Sequence, residues 1–118
     1  MKDDLKDFLP LSPATFYILL ALSDDDRHGY GIMQEVARQS EGKYKLGPGT
    51  CYDNLEKLID HGIVKEVPRK SINEDPRRRY YRMTGLGRNL LLAEVSRLDR
   101  AVREAKVRLR GTKPKEAL

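Results

Sequence analysis

Positive charge is concentrated between Lys65 and Arg82, and this pattern indicates chemistry with a polyanion rather than with a small substrate. The segment holds seven basic and three acidic side chains, so it carries +4 of the net charge of +5. A basic patch on one feature is the electrostatic footprint of a nucleic-acid partner. A solvated loop without a partner would have the same composition, and charge alone leaves both interpretations open. The basic residues are Lys65, Arg69, Lys70, Arg77, Arg78, Arg79 and Arg82.

Residue types that carry out catalysis are few and scattered along the chain. There are two histidines, His28 and His61, and one cysteine, Cys51, and no nucleophile–base pair or metal-ligand spacing connects them. The aspartates at 24–26 could hold a divalent cation, but no further ligands follow at calcium-loop spacing, which favours a turn. Cys51 suits a small apolar position better than a redox-sensing one. The sequence therefore predicts a protein that is not an enzyme and holds neither metal nor cofactor.

Size and composition are those of one small globular unit. At 118 residues, with 39% hydrophobic and 35% charged side chains, the chain suits a single domain with one core. No apolar run approaches the roughly 18 residues that a membrane-spanning helix needs. The acidic start lacks the basic-then-apolar pattern of a signal peptide. We therefore expect a cytoplasmic protein that does not bind membranes.

The segment from Gly47 to Gly62 predicts a short helix with one polar face. Gly-Pro-Gly at its start is a loop signal with Pro48 in the first turn, and Gly62 supplies a left-handed stop. Cys51, Leu55, Leu58 and Ile59 fall at helical spacing and form the apolar face. The polar face could read a DNA major groove, where asparagine suits adenine and a carboxylate accepts from the cytosine amino group. It carries Thr50, Asp53, Asn54 and Lys57.

A β-hairpin is predicted directly after this helix, as in a recognition helix followed by its wing. Residues 63–68 and 77–83 alternate as two strands around a polar tip at residues 69–76. On the second strand we expect Tyr81 and Met83 to pack inward. The opposite face, expected to meet phosphates or a minor groove, carries Arg78, Tyr80 and Arg82.

Two further helices are predicted before the recognition helix. Ser12 and Pro13 start a helix that is apolar almost all round, so we expect it at the centre of the core. A second helix, residues 32–40, would be the first of a helix-turn-helix pair. Tyr30 at its start either bonds a phosphate or packs on the core with its hydroxyl in water. Residues 44–46 suggest a single strand next to the recognition helix.

A long last helix, residues 85–110 with Thr84 as its cap, carries a regular apolar seam. The spacings of the seam alternate between four and three, which is a heptad repeat. Since little sequence remains to cover it, the seam predicts pairing with the same helix of a second copy, or contact with residues 1–10. Residues 1–10 fit either a short helix or an arm over a neighbour. The seam is Leu91, Val95, Leu98, Val102, Ala105 and Leu109.

Three motifs follow one another along the chain: His28-Gly29-Tyr30-Gly31-Ile32, then Gly49-Thr50-Cys51-Tyr52 with Leu55, Leu58 and Gly62-Ile63-Val64, then Arg79-Tyr80-Tyr81-Arg82-Met83-Thr84 with Gly87. Together and in this order, they resemble the PadR family of winged-helix transcriptional regulators. The resemblance covers about residues 11–110 and implies a homodimeric DNA-binding protein, usually a repressor, of the shorter subgroup with one C-terminal dimerisation helix. It carries over Tyr30, Gly49, Thr50 and Tyr52 as DNA-facing positions. Many relatives have Leu-Tyr-Pro where this chain has Cys51-Tyr52-Asp53, and the chain lacks the tryptophan of a drug-stacking pocket.

These observations lead to one hypothesis for fold and function. We expect a mainly α fold with a small β-hairpin, in which an N-terminal arm (1–10) precedes a winged helix-turn-helix (11–84). A dimerisation helix (85–110) and a disordered tail (111–118) follow. A homodimeric repressor would bind an inverted repeat in double-stranded DNA, and an unidentified small-molecule effector would act through the long helices. The alternative is a protein-interaction module whose basic wing binds an acidic partner. The residues predicted to contact DNA are Tyr30, Gly49, Thr50, Tyr52, Asp53, Asn54, Lys57, Arg69, Lys70, Arg77, Arg78 and Arg79.

Overall fold

The computed structural model describes residues 5–69 and 71–111. Three strands form one antiparallel sheet in the order β1-β3-β2, and the helices pack on it and on one another. This confirms the predicted winged helix-turn-helix with a long C-terminal helix and adds a third strand to the expected hairpin. The elements are a 3₁₀ helix (Leu5–Phe8), α1 (Pro13–Ala21), β1 (Arg27–His28), α2 (Gly29–Gln39), α3 (Pro48–Asp60), β2 (Val64–Val67), β3 (Tyr80–Met83) and α4 (Gly85–Leu109).

Helix α1 is the centre of the core, as its all-round apolar sequence predicts. It starts as expected, because Ser12 Oγ accepts a hydrogen bond from the backbone N–H of Thr15 at 3.2 Å. Ile18 and Leu19 are fully buried, and α1 contacts α2, α3 and α4. Burial of each such side chain contributes about 1.5–3 kcal/mol. The helix is therefore the common support against which the other helices are held.

The third strand lies in front of α2 and not at residues 44–46, where the sequence suggested one. Arg27 pairs with Tyr81, and His28 pairs with Tyr80. A strand of two residues is too short to show any alternation, so periodicity could not reveal it. Residues 44–46 form no strand, and the ring of Tyr44 stacks on another aromatic ring, that of Tyr17, at 5.1 Å.

Helix α2 begins at Gly29, three residues earlier than expected. Nδ1 of His28 accepts a hydrogen bond from the backbone N–H of Gly31 at 3.0 Å and caps the helix. The histidine cap allows Gly29 and Gly31 to lie in the first turn of the helix.

The wing pairs β2 with β3 from Val64 opposite Met83 to Val67 opposite Tyr80. Tyr80 and Tyr81 are both buried, so the expectation that Tyr80 faces a phosphate was wrong. Its hydroxyl donates to Glu74 Oε2 at 2.8 Å, and its ring packs edge-on against His28. The wing tip folds back far enough for Glu74 to reach this tyrosine.

The described part of the N-terminal segment packs on its own domain. The ring of Phe8 lies edge-on to His61 at the end of α3, with ring centroids 5.1 Å apart, and Leu9 packs against the core. Of the two alternatives for this segment, a short helix or an arm over a neighbour, residues 5–8 form the short helix. The predictions for residues 1–4 and for the tail beyond Gly111 lie outside the described residues.

Helix α4 is fixed to the wing at its first turn. Thr84 Oγ1 donates to the Gly62 carbonyl at 2.6 Å and accepts from the Gly87 N–H at 3.1 Å. Gly87 lies so close to the Ile63 carbonyl that a Cβ at this position would collide with it. Leu91, predicted as the first seam residue, is buried in the core instead. None of the helices that the structure describes is long and apolar enough to cross a membrane.

Candidate nucleic-acid interface

The first turns of α3 present polar groups to solvent. Pro48 occupies the first turn and Gly47 caps the helix without a side-chain hydrogen bond. The backbone N–H groups of such a first turn have no partner within the helix, which suits them to a phosphate oxygen. The predicted DNA-facing residues that are exposed on α3 are Gly49, Thr50, Tyr52, Asp53 and Lys57.

Asn54 differs from these residues because both ends of its amide are bonded within the protein. Its Oδ1 accepts from the Thr15 hydroxyl at 3.2 Å, and its Nδ2 donates to the Thr50 carbonyl at 2.8 Å. The side chain is half-buried, so reading adenine would require these bonds to break. The arrangement makes Asn54 a residue that positions α3 on α1.

Tyr30 and Tyr52 stand on neighbouring helices at the same edge of the domain. Their side chains are 56% and 46% exposed. Tyr52 lies over Gly29 so closely that any Cβ at Gly29 would overlap the tyrosine ring and hydroxyl. A glycine at the start of α2 therefore lets an aromatic residue of α3 lie across the junction between the two helices.

The arginines at the end of the wing differ in their partners. Arg77 is bonded to Asp75, whose pKa this contact lowers, and Arg79 lies 3.5 Å from Glu66. Arg82 pairs with Asp26 at 2.8 Å. In the part of the chain that the structure describes, Arg78 has no carboxylate within ion-pair distance. Of these four guanidinium groups, that of Arg78 is therefore the most available to an outside anion.

At the tip of the wing, Arg69 is bonded within the protein. Arg69 is half-buried, and its Nε donates to the Ser71 carbonyl at 3.1 Å. Lys70 lies outside the described residues.

A cleft of about 270 Å³ brings the aromatic residues and the wing together. Five of the predicted DNA-binding residues share this cleft. The described ones that are not part of its lining are Gly49, Thr50, Asp53, Asn54, Lys57 and Arg69. The lining consists of His28, Gly29, Tyr30, Tyr52, Arg77, Arg78, Arg79 and Tyr81.

His28 is the site residue that sequence reasoning missed. Burial and the neighbouring Arg78 lower its pKa, while Glu74 acts in the opposite direction. Its ring is therefore neutral near pH 7. The signal that could have found it was its position immediately before a helix, where a side-chain acceptor caps the first turn.

The structure also describes the residues that could have done other chemistry. Cys51 is fully buried, and this burial raises its pKa to about 11, so its thiol is neither exposed nor ionised. Asp26, in the run of three aspartates, is bonded to Arg82. Among the described residues, no group of three or more histidine, cysteine or acidic side chains could hold a metal ion.

Comparison with known proteins identifies the family of this chain. The sequence matches the transcriptional regulator PadR-like family over residues 18–93. It is 32% identical over 88 residues to the transcriptional regulator Rv3488 of Mycobacterium tuberculosis, an alignment that covers 75% of this chain and 78% of that protein.

Solved structures share the fold. A transcriptional regulator of Clostridium thermocellum superposes with a TM-score of 0.68 at 20% identity, covering 90% of this chain and 94% of the other. A PadR family regulator of Clostridium difficile superposes with a TM-score of 0.64 at 22% identity, covering 85% of this chain and all of the other (100%). The chain therefore belongs to the PadR-like family of transcriptional regulators, whose members are DNA-binding winged-helix proteins and not enzymes.

Proposed function

We propose that this regulator is a homodimeric repressor that binds an inverted repeat in double-stranded DNA. The observation that carries the proposal is an apolar stripe on the second half of α4. Its large members Val95, Leu98, Val102 and Leu109 are 46%, 36%, 49% and 73% exposed. Together with Ala105 they recur every three or four residues, which is the pattern by which two helices pair in a coiled coil.

The stripe is too regular and too exposed to be explained as scattered surface residues. It begins one turn after Leu91, where α4 leaves the core, and continues with Ala105 to the last turn. The same helix of a second copy supplies a matching stripe, because a two-fold interface uses the same surface on both subunits. Pairing would cover these side chains, and full burial of each large one contributes about 1.5–3 kcal/mol.

In this dimer, α3 of each subunit enters a major groove. Thr50 and Asp53 reach base edges, while Lys57 and the hydroxyls of Tyr30 and Tyr52 bond the backbone. The wing places Arg78, with Arg77 and Arg79 beside it, on the flanking phosphates or minor groove. Two-fold symmetry then requires half-sites about 10 bp apart or a multiple of that distance.

Repression follows from occupancy, because a dimer bound across a promoter excludes the polymerase. A small-molecule effector would act by changing the angle between the two α4 helices and with it the separation of the two α3 helices. We place this activity in the cytoplasm.

The test is fluorescence anisotropy with a labelled duplex from upstream of this protein's own gene and a scrambled duplex, combined with light scattering of the free protein. We expect a dimer that binds the upstream duplex about a thousandfold more tightly at near-physiological salt. Equal, strongly salt-dependent binding to both duplexes would contradict a specific site in that region. A monomer would contradict the role of α4, and binding to neither duplex would favour the alternative of a protein-interaction module with an acidic partner.

A further inference from the structure

The two ring nitrogens of His28 both face hydrogen-bond donors. The backbone N–H of Gly31 points at Nδ1 from 3.0 Å, and Nη1 of Arg78 lies 2.7 Å from Nε2. A neutral imidazole has one acceptor nitrogen and one N–H, so it cannot accept from both. The Gly31 bond belongs to the cap of α2, which fixes Nδ1 as the acceptor and places the ring proton on Nε2.

With the ring proton on Nε2, two hydrogen-bond donors face each other between His28 and Arg78. Nε2–H of His28 and the guanidinium of Arg78 both donate, and neither accepts. Protonation of the ring would add a second positive charge and remove the cap, so it would not satisfy the pair. What the pair lacks is an acceptor, and the best acceptor for a guanidinium beside a second N–H is an anionic oxygen.

The residues around this pair favour an anion from outside the protein over one of the protein's own carboxylates as the acceptor. Arg77 and Arg79 line the same cleft, and the hydroxyl-bearing Tyr30 and Tyr52 form its other side. Glu74 is the acidic group that acts on His28, and it is already bonded to the Tyr80 hydroxyl. On its other side, His28 also lines a second cleft with charged residues, namely Asp25, Asp26, Arg27, Glu35, Arg38 and Glu74. The face toward Arg78 therefore carries three arginine side chains, and the opposite face carries four carboxylates.

We propose that Nε2–H of His28 and the guanidinium of Arg78 together bind one backbone phosphate of DNA, in the cleft between the start of α2, Tyr52 and the wing. The inference rests on the proposed DNA binding and assigns His28 to the interface. Arg78 is exposed, so its guanidinium can shift to admit an oxygen bonded by both groups. The neutral imidazole supplies a directional bond, and the arginine supplies the charge.

The chain offers a substitution that separates the two roles of His28. His28→Asn keeps an acceptor at the cap, since asparagine is among the best capping residues, but its short side chain cannot reach the phosphate. Arg78→Gln removes the charge, and Arg100→Gln on the exposed surface of α4 removes the same charge away from the cleft. Binding of each variant to the upstream duplex is measured by anisotropy at several salt concentrations between about 50 and 200 mM.

We expect His28→Asn to bind about tenfold more weakly, as for a lost hydrogen bond to a charged group. The variant should stay folded, because asparagine keeps the cap of α2. Its salt slope should stay unchanged, because a neutral donor releases no counterion. Arg78→Gln should lower the salt slope by about 0.9, whereas Arg100→Gln should not. The double variant should bind little worse than Arg78→Gln, because both groups hold one phosphate.

A set of duplexes, each with one neutral methylphosphonate, locates that phosphate. At one position in each half-site, the methylphosphonate should weaken binding of the wild-type protein but leave binding of His28→Asn unchanged. If wild type binds specifically and His28→Asn binds equally well, the phosphate site is wrong while the proposed function stands. If the wild-type protein binds neither the upstream nor the scrambled duplex, the proposed function fails and the phosphate site fails with it.

Discussion

The carboxylate of Glu94 accepts a hydrogen bond from the backbone N–H of Leu11 at 3.2 Å, although 83 positions separate the two residues in sequence. Glu94 is only 2% exposed, and Arg97 donates to both of its oxygens at 2.7 and 2.9 Å. Arg97, and then the Leu11 N–H, keep the pKa of this carboxyl below its usual range against the opposing effect of burial. One side chain thus joins the start of the domain to α4 at the point where the helix leaves the core.

Glu94→Ala should lower the free energy of unfolding by about 1–3 kcal/mol, because it leaves the Leu11 N–H buried without a partner. Urea denaturation measures the change. The control is Glu104→Ala, which removes an exposed carboxylate bonded to Arg108 on the same helix and should cost less than about 0.5 kcal/mol. Equal losses in the two variants would show that the Leu11 contact contributes nothing of its own.

Leu98→Lys should convert the proposed dimer into a monomer, because it places a charge in the middle of the apolar stripe. Light scattering over a concentration series reports the mass. Val107 is also exposed and apolar but lies on the opposite face in the heptad, so Val107→Lys should remain dimeric. A dimer that persists in Leu98→Lys would place the subunit interface elsewhere.

Gly29→Ala should weaken DNA binding with little effect on stability. The new methyl group collides with Tyr52, whose half-exposed ring can swing outward and leave the cleft. Gly87→Ala makes the matched comparison, because its methyl group meets the Ile63 carbonyl, which cannot move. That variant should lose about 1–3 kcal/mol of stability. Anisotropy and thermal unfolding on both proteins distinguish the effects, and the idea fails if Gly29→Ala binds DNA normally.

Acidification should destabilise the domain through His28. Its pKa is lowered in the folded state by burial and by Arg78, so below the ordinary value of 6.5 the unfolded chain binds a proton that the folded chain does not. Stability therefore falls as pH drops from about 7 toward the lowered folded pKa. His28→Asn should flatten this part of the curve in urea titrations at different pH. An unchanged curve would assign the acid sensitivity to the paired carboxylates.

The sequence predicted the long elements well because their signals are local. Ser12 and Thr84 are the caps it indicated, the all-round apolar sequence of α1 matches its central position, and the apolar periodicity of α3 matches its buried face. What it missed depends on contacts between distant segments. Arg27 and His28 become a strand because Tyr80 and Tyr81 lie beside them, and Asn54 turns inward because Thr15 lies beneath it. Spacing along one element carries no information about either contact.

The Thr84 hydroxyl, bonded to the carbonyls of both Gly62 and Ile63, has a mechanical consequence for regulation. It clamps the end of α3, the base of the wing and the start of α4 at one point, so that this joint transmits a tilt of α4 instead of absorbing it. Helix α4 has 25 residues and is about 37 Å long. Acting as a lever, it converts a tilt of about 5° at its far end into a shift of roughly 3 Å. That displacement is comparable to the rise of one base pair. In the proposed dimer, a small change at the contact between the two α4 helices is therefore enough to move α3 of one subunit out of register with its half-site.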